Sequence, residues 1–405
     1  VSPKRVILHV GTPKTGTSYL QDVLFSNRDS LAGQGVLYPA DRFDGHFLAA
    51  LDLMRLPWGG LETQAVGAWD QLAEKVRDWQ GSTAIISHEI LATASRTQIR
   101  KALESLGHPD TEIHVVLSAR DLVRQIPAEW QENIKHRRTI SYRRFLAQVQ
   151  DPDRTGRIAT WFWGVQEIPD ILNRWGAELD PSRVHVVTVP KPGAPKTLLW
   201  ERFADAFSLD GLDLDLHVER ANPSLGVPET ALIRRINKTS NADVEPGAYR
   251  PLVRELLAHQ TLSKRSDSPR LALPPDVWTW ADDLSHAWVD ELRERRYDVV
   301  GDLDDLIPDS SPVPFSDPDR PRHREVNAAA LEAIRALLLE GARMRQVETD
   351  LRDELRETQI ALERAYLRPT YRAREKIVRS AEDKGWGRRL LGFYRRVRGR
   401  SSRPA

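Results

Sequence analysis

The chain has 405 residues, 40% of them hydrophobic, which is enough for a large buried core. It has no cysteine, which rules out disulfides, thiolate metal sites and cysteine nucleophiles and suits a reducing compartment. A formal net charge of +1 excludes little, no apolar run approaches the roughly 18 residues of a membrane span, and no charged-then-apolar leader precedes the first strand, so the expectation is a cytoplasmic protein.

Residues 6–10 form an apolar run that reads as a buried strand. The turn Gly11-Thr12-Pro13-Lys14-Thr15-Gly16 follows, and a helical pattern opens at Thr17 with Leu20, Val23 and Leu24. A helix N-terminus leaves backbone N–H groups unpaired, and the helix dipole favours negative charge beside them. Gly11 and Gly16 let the chain curl tightly. Thr15, Thr17 and Ser18 offer hydroxyls, and Lys14 brings a full positive charge. The stretch predicts a phosphate cradle.

The position of the lysine narrows the chemistry. A nucleotide-triphosphatase loop carries lysine directly after its second glycine. Here the glycines keep that spacing, but Thr17 stands in the lysine's place and Lys14 lies two residues before Gly16. A kinase acting on ATP with magnesium is therefore the second reading. The order Pro13-Lys14-Thr15-Gly16-Thr17-Ser18 resembles the 5′-phosphosulfate loop of sulfotransferases, which use 3′-phosphoadenosine-5′-phosphosulfate as donor. The resemblance covers about residues 5–306. It implies an α/β fold with a doubly wound parallel sheet of P-loop type, donor contacts from residues 13–18, and no metal.

Residues 17–27 read as the first helix and 35–39 as a short strand ended by Pro39. Residues 40–60 look irregular, with Gly45, His46, Trp58, Gly59 and Gly60 suiting a mobile wall over a pocket. An amphipathic helix is expected over 61–79. The strand at 83–87 ends in His88-Glu89. Ligands in open parallel sheets bind outside the carboxyl ends of strands, so both residues would flank the cradle if this strand neighbours the first. Either side chain has the chemistry of a general base, the role that the resemblance gives to a histidine or glutamate. The competing reading makes Glu89 a helix cap and His88 a satisfied histidine beside the core.

A helix near 97–106 leads to the strand at 112–119, which ends in Arg120-Asp121 and opens another helix. By the resemblance, Arg120 holds the donor's 3′-phosphate, a task suited to a permanently charged, bidentate guanidinium. Many family members place a serine eight residues later, where this chain has Ala128. Arg124 is a candidate substitute. Lys135-His136-Arg137-Arg138 reads as a solvated basic face that also guides anions. Residues 140–150 look helical, Trp161-Phe162-Trp163 reads as core or acceptor-pocket wall, and 184–189 as a fifth buried strand. Further helices are expected at 196–207, 249–259 and 275–295. The segment Ala221-Asn222-Pro223-Ser224-Leu225-Gly226 is turn and capping chemistry before another helix, although sulfotransferase-like proteins carry similar loops there.

Domain organisation follows from composition. Residues 1–306 form the α/β domain and 307–324 a Pro/Ser/Asp-rich linker. Residues 325–365 form a helical segment in which Leu351, Leu355, Thr358, Leu362 and Ala365 alternate steps of four and three, the seam of a short coiled coil suited to self-association. Residues 366–405 carry thirteen Lys or Arg against three acids, a formal +10 that leaves −9 on the rest. Arginine interleaved with Trp386, Leu390, Leu391, Phe393 and Tyr394 suits an anionic membrane surface, and nucleic acid is not the expected partner. The chain reads as an enzyme that sulfates a carbohydrate, glycolipid or small-metabolite acceptor. The reading from another class is a scaffold held to membranes or partners by its C-terminal segments.

Overall fold

A computed structural model describes residues 4–217, 224–309 and 313–367. The basic tail beyond 367 and the stretch Ala221-Asn222-Pro223 lie outside the described residues. The chain divides into two units, Val1–Ile334 and Arg335–Ala405.

In the first unit, six strands of the described residues form one all-parallel sheet in the order β2-β3-β1-β4-β5-β6. They are β1 (Arg5–Gly11), β2 (Val36–Leu37), β3 (Thr83–Ser87), β4 (Glu112–Ala119), β5 (Val184–Thr188) and β6 (Asp298–Val300). Helices cover both faces, as parallel sheets require. They are α1 (Thr17–Ser26), α2 (Arg28–Gly33), α3 (Gly45–Met54), α4 (Ala68–Asp78), α5 (Arg96–Ser105), α6 (Leu122–Lys135), α7 (Tyr142–Val149), α8 (Arg157–Gln166) and α9 (Ile168–Trp175). The series continues with α10 (Leu198–Ala206), α11 (Val227–Ser240), α12 (Pro246–Tyr249), α13 (Pro275–Arg295) and α14 (His323–Leu367). A π-helical stretch, Arg250–Thr261, continues directly from α12. No helix of the described residues is long and apolar enough to cross a membrane.

β1 lies between β3 and β4: the chain runs from β1 to β2 and β3 on one side and then crosses from β3 to β4 on the other, a reversal that opens a crevice at the carboxyl end of β1. Its core residues Val6, Ile7, Leu8 and Val10 are buried. His9 pins the three central strands together: Nδ1 meets Ser87 Oγ of β3 at 2.8 Å and Nε2 meets Ser118 Oγ of β4 at 3.1 Å. Phe203 and Phe207 close over that ring edge-on, with centroids at 5.6 and 5.8 Å.

Four sequence expectations change. The stretch 40–60 is not a mobile wall: it contains α3, whose Leu48, Ala49, Leu51, Leu53 and Met54 are buried. His46 sits inside that helix, 3% exposed, accepting from the Ser87 backbone N–H at 3.2 Å. The helix expected over 61–79 begins only at Ala68, behind a 3-10 turn at Leu61–Thr63, and leaves Val66 exposed. A sixth strand, β6, extends the sheet by pairing with β5. The Pro-rich segment is anchored, since Pro318 and Pro321 are buried and Asp319 accepts from the backbone N–H groups of Tyr142 and Arg143 at 3.0 and 2.9 Å.

Candidate functional site

The cradle connects β1 to α1 at the carboxyl edge of the sheet. Gly16 takes φ 92°, and a side chain there would bring its Cβ within 2.6 Å of Leu199. The left-handed backbone calls for glycine, whereas the Leu199 methyl is the movable end of a side chain. Lys14 is itself left-handed, at φ 68°. The loop is held from beneath. Thr12 N–H donates to the Ser118 carbonyl at 2.9 Å, and Gln125, braced by Gln166 at 2.8 Å, donates to the Pro13 carbonyl at 2.7 Å. Thr15 does not offer its hydroxyl to a ligand, because that group is buried between the Thr12 carbonyl and Ser118 Oγ, each 2.5 Å away. Thr17 is buried and Ser18 exposed.

The backbone N–H groups from Lys14 to Tyr19 donate to no acceptor among the described residues; the first helical bond is Leu20 N–H to the Gly16 carbonyl, at 3.1 Å. Six consecutive donors thus surround the loop, with the positive end of the α1 dipole behind them. Lys14 Nζ is ion-paired with Glu132 of α6. The other oxygen of Glu132 accepts from Arg254 of the π-helical stretch at 3.1 Å and meets His136 Nε2 at 3.0 Å. Burial alone would raise the Glu132 carboxyl, but Lys14, His136 and Lys135 hold it well below the usual range. Glu129, one turn earlier, is pushed up to about 7 by burial and by the charges of Glu132 and Glu89, against the pull of Lys14.

Arg120 stands at the end of β4, beside β1. Its Nη2 donates to the Arg124 carbonyl at 2.9 Å, while its Nε is buried with no partner. Burial, with the like charge of Arg124, draws it down to about 10 against the attraction of Asp121. A guanidinium at that value remains charged at neutral pH. Arg124, the candidate substitute for the missing serine at position 128, is ion-paired with Asp121 and donates to the Pro190 carbonyl at 3.0 Å.

β3 does neighbour β1, which brings His88 and Glu89 to the same edge. Their local tasks are the reverse of the capping expectation. His88 caps, its Nδ1 accepting from the Ile90 backbone N–H at 3.3 Å. Glu89 accepts from Gln21 of α1 at 2.9 Å. Burial works to raise Glu89, but His88, its own backbone N–H, Gln21 and His9 together hold it below the ordinary value. Burial lowers His88 against the opposing charge of Glu89. A neutral His88 that accepts at Nδ1 bears its proton on Nε2, so it is a donor, whereas Glu89 is free to take a proton.

Beside His88 lie three half-exposed rings. Phe47 is 5.1 Å from the His88 ring, Trp58 is 5.6 Å from Phe47, and Trp161 is 5.8 Å from Trp58. Phe162 and Trp163 are core. The basic run 135–138 is no single solvated face. Lys135 is 2% exposed, His136 meets Glu132, and Arg137 turns to the carbonyls of Asn241 and Val244 at 2.9 and 2.8 Å. Sequence reasoning missed Glu129, Glu132 and Arg254. The signal available was the Gln125/Glu129/Glu132 spacing on one face of the helix that follows Arg120.

A separate cavity of about 180 Å³, lined by Arg5, His114, His185, Ser208 and Asp298 among others, opens at the amino edge of the sheet, away from the cradle. His114 Nδ1 and His185 Nε2 are 2.7 Å apart there, and His185 Nδ1 meets Asp298 at 2.6 Å.

No family model matches the chain, and no curated protein matches it. Among solved structures it is similar to the crystal structure of a sulfotransferase from Alicyclobacillus acidocaldarius. That likeness spans 62% of this chain and 99% of the other, with 17% identity and a TM-score of 0.37.

Proposed function

We propose that this chain is a sulfotransferase that takes 3′-phosphoadenosine-5′-phosphosulfate as donor and sulfates a hydroxyl or amine of a carbohydrate, glycolipid or small metabolite. One juxtaposition carries the reading. Six open backbone N–H groups and Lys14 sit at the end of β1, and an arginine with an orphaned, buried Nε sits at the end of adjacent β4. These residues fit a donor with two anionic ends. Residues 14–18 would hold the 5′-phosphosulfate through their N–H groups, and Arg120 the 3′-phosphate. When bound, the donor supplies the sulfuryl group and a phosphate leaving group.

Lys14 places a cation where charge would grow on that leaving group, the kind of preorganised stabilisation that favours a transition state over a ground state. Glu89, ionised and oriented by Gln21, would accept the proton of the acceptor hydroxyl, with the neutral His88 donating alongside. The Phe47, Trp58 and Trp161 faces would form the acceptor wall. Lys14, two residues before Gly16, supports this donor over a triphosphate.

Calorimetry with the phosphosulfate donor, adenosine 3′,5′-bisphosphate and magnesium-ATP tests the reading. The first two should bind and ATP should not; binding of magnesium-ATP alone would overturn the proposal. With the donor as substrate, Lys14→Ala should lower turnover at saturation by roughly a hundredfold, from about 3 kcal/mol of lost transition-state stabilisation.

A further inference from the structure

In the second unit, the part of α14 beyond Ile334 exposes a long apolar stripe. Leu337, Met344, Leu351, Leu355 and Leu362 are 41–59% exposed. A solitary helix with that much apolar surface in water gains nothing from it, since helices owe most of their stability to packing of such a face. Side chains of the same type at these positions favour a partner.

Those five follow one heptad register, while the exposed Leu338, Leu339, Val347, Ile360 and Tyr366 stand beside it. Leu337, Met344, Leu351, Thr358 and Ala365 occupy its d positions, and Gly341, Glu348, Leu355 and Leu362 its a positions. Half of the flanking positions are charged: e holds Leu338, Arg345, Arg352 and Gln359, and g holds Glu340, Val347, Glu354 and Ala361. In a parallel, in-register pair, each g residue meets the e residue five places on in the other helix, which sets Glu340 against Arg345, Val347 against Arg352 and Glu354 against Gln359. Glu340 also pairs with Arg343 of its own helix, at 2.7 Å. An antiparallel pair would set glutamate against glutamate and arginine against arginine. Arg345 and Glu354 have no side-chain partner among the described residues of their own chain. Glu348, the one charged residue on the seam, is neutralised by Arg352 one turn on, at 2.6 Å.

We propose that residues 337–365 pair with the same residues of a second copy of this chain, as a parallel, in-register, two-stranded coiled coil. The Glu340–Arg345 match favours the parallel orientation, and Glu348 at an a position fixes the register at some cost in strength.

Sedimentation velocity on the full chain at micromolar concentration tests the pairing. A dimer is expected, and Leu351→Glu with Leu355→Glu should give a monomer that loses helix content from this segment while the melting of the α/β unit is unchanged, because neither side chain belongs to that unit. A monomeric native chain, or a dimer that survives the double substitution, would overturn the proposal. The absence of cysteine gives a clean background for orientation. Leu355→Cys should form an intermolecular disulfide on mild oxidation, because a parallel, in-register pair brings that position against itself within disulfide reach. Failure of a dimer to cross-link there would refute the parallel register. Charge reversal supplies a second reading: Arg345→Glu should weaken the dimer, and adding Glu340→Arg should restore it.

Discussion

At the scale of single residues, the site turns on a contact that only the structure reveals: Lys14 is already neutralised by Glu132. Glu132 also engages Arg254 and His136, so it keeps a cation and a second hydrogen-bond partner if Lys14 turns to a ligand. On the proposed reading, this carboxylate is an internal competitor for the anion. Glu132→Gln should therefore bind adenosine 3′,5′-bisphosphate more tightly, by about tenfold or 1.4 kcal/mol, whereas Lys14→Ala should bind it more weakly. Calorimetric affinity that is unchanged or reduced in the glutamine variant would show that the pair merely braces the loop. Glycine at 16 was legible because a tight turn before a helix demands it, and the left-handed backbone there agrees. Thr15 shows the converse. Its hydroxyl read as a ligand donor, but it is consumed by Thr12 and Ser118, the latter more than a hundred residues away in the chain.

At the scale of elements, apolar periodicity placed the central strands within a residue or two. It failed where packing is indirect. In α3 the glycines at both flanks suggested a loop, but the run Phe47–Met54 is apolar on nearly every face, and only burial on several sides at once makes a helix of it. The Pro-rich segment misleads for a different reason. Its composition resists regular structure, as expected, yet one carboxylate anchors it. Asp319 takes two first-turn N–H groups of α7, complementing the Ser141 cap, and pairs with Arg234 of α11 at 2.8 Å. Asp319→Ala should cost about 2 kcal/mol in denaturant unfolding, from two lost charge-assisted bonds and an unpaired arginine. A change within experimental error would mean that the segment is tethered by its buried prolines instead.

At the scale of the whole molecule, acid stability depends on two imidazoles buried near the centre of the sheet. Burial lowers His9 to about 4 and His46 to about 3. Both folded values lie below the unfolded value of 6.5. Their contribution to stability is therefore complete above pH 6.5 and is lost as pH falls, because the unfolded chain takes up protons that the folded one refuses. Each group adds a slope of about 1.4 kcal/mol per pH unit in that window. Melting temperatures between pH 7 and pH 4 should fall less steeply in His46→Gln than in the native chain; parallel curves would place the acid sensitivity elsewhere. What the sequence alone determined was the strand–cradle–helix unit, the parallel α/β class and the arginine at the end of a strand. All three are written in short contiguous stretches, through periodicity, glycine spacing and helix-end electrostatics. The tertiary structure decided which strands stand beside β1, and therefore that Lys14 meets Glu132, Glu132 meets Arg254, and His88-Glu89 and Arg120 follow the two strands that flank β1. Those neighbours are set by crossovers tens to hundreds of residues long, and no local pattern of residues encodes them.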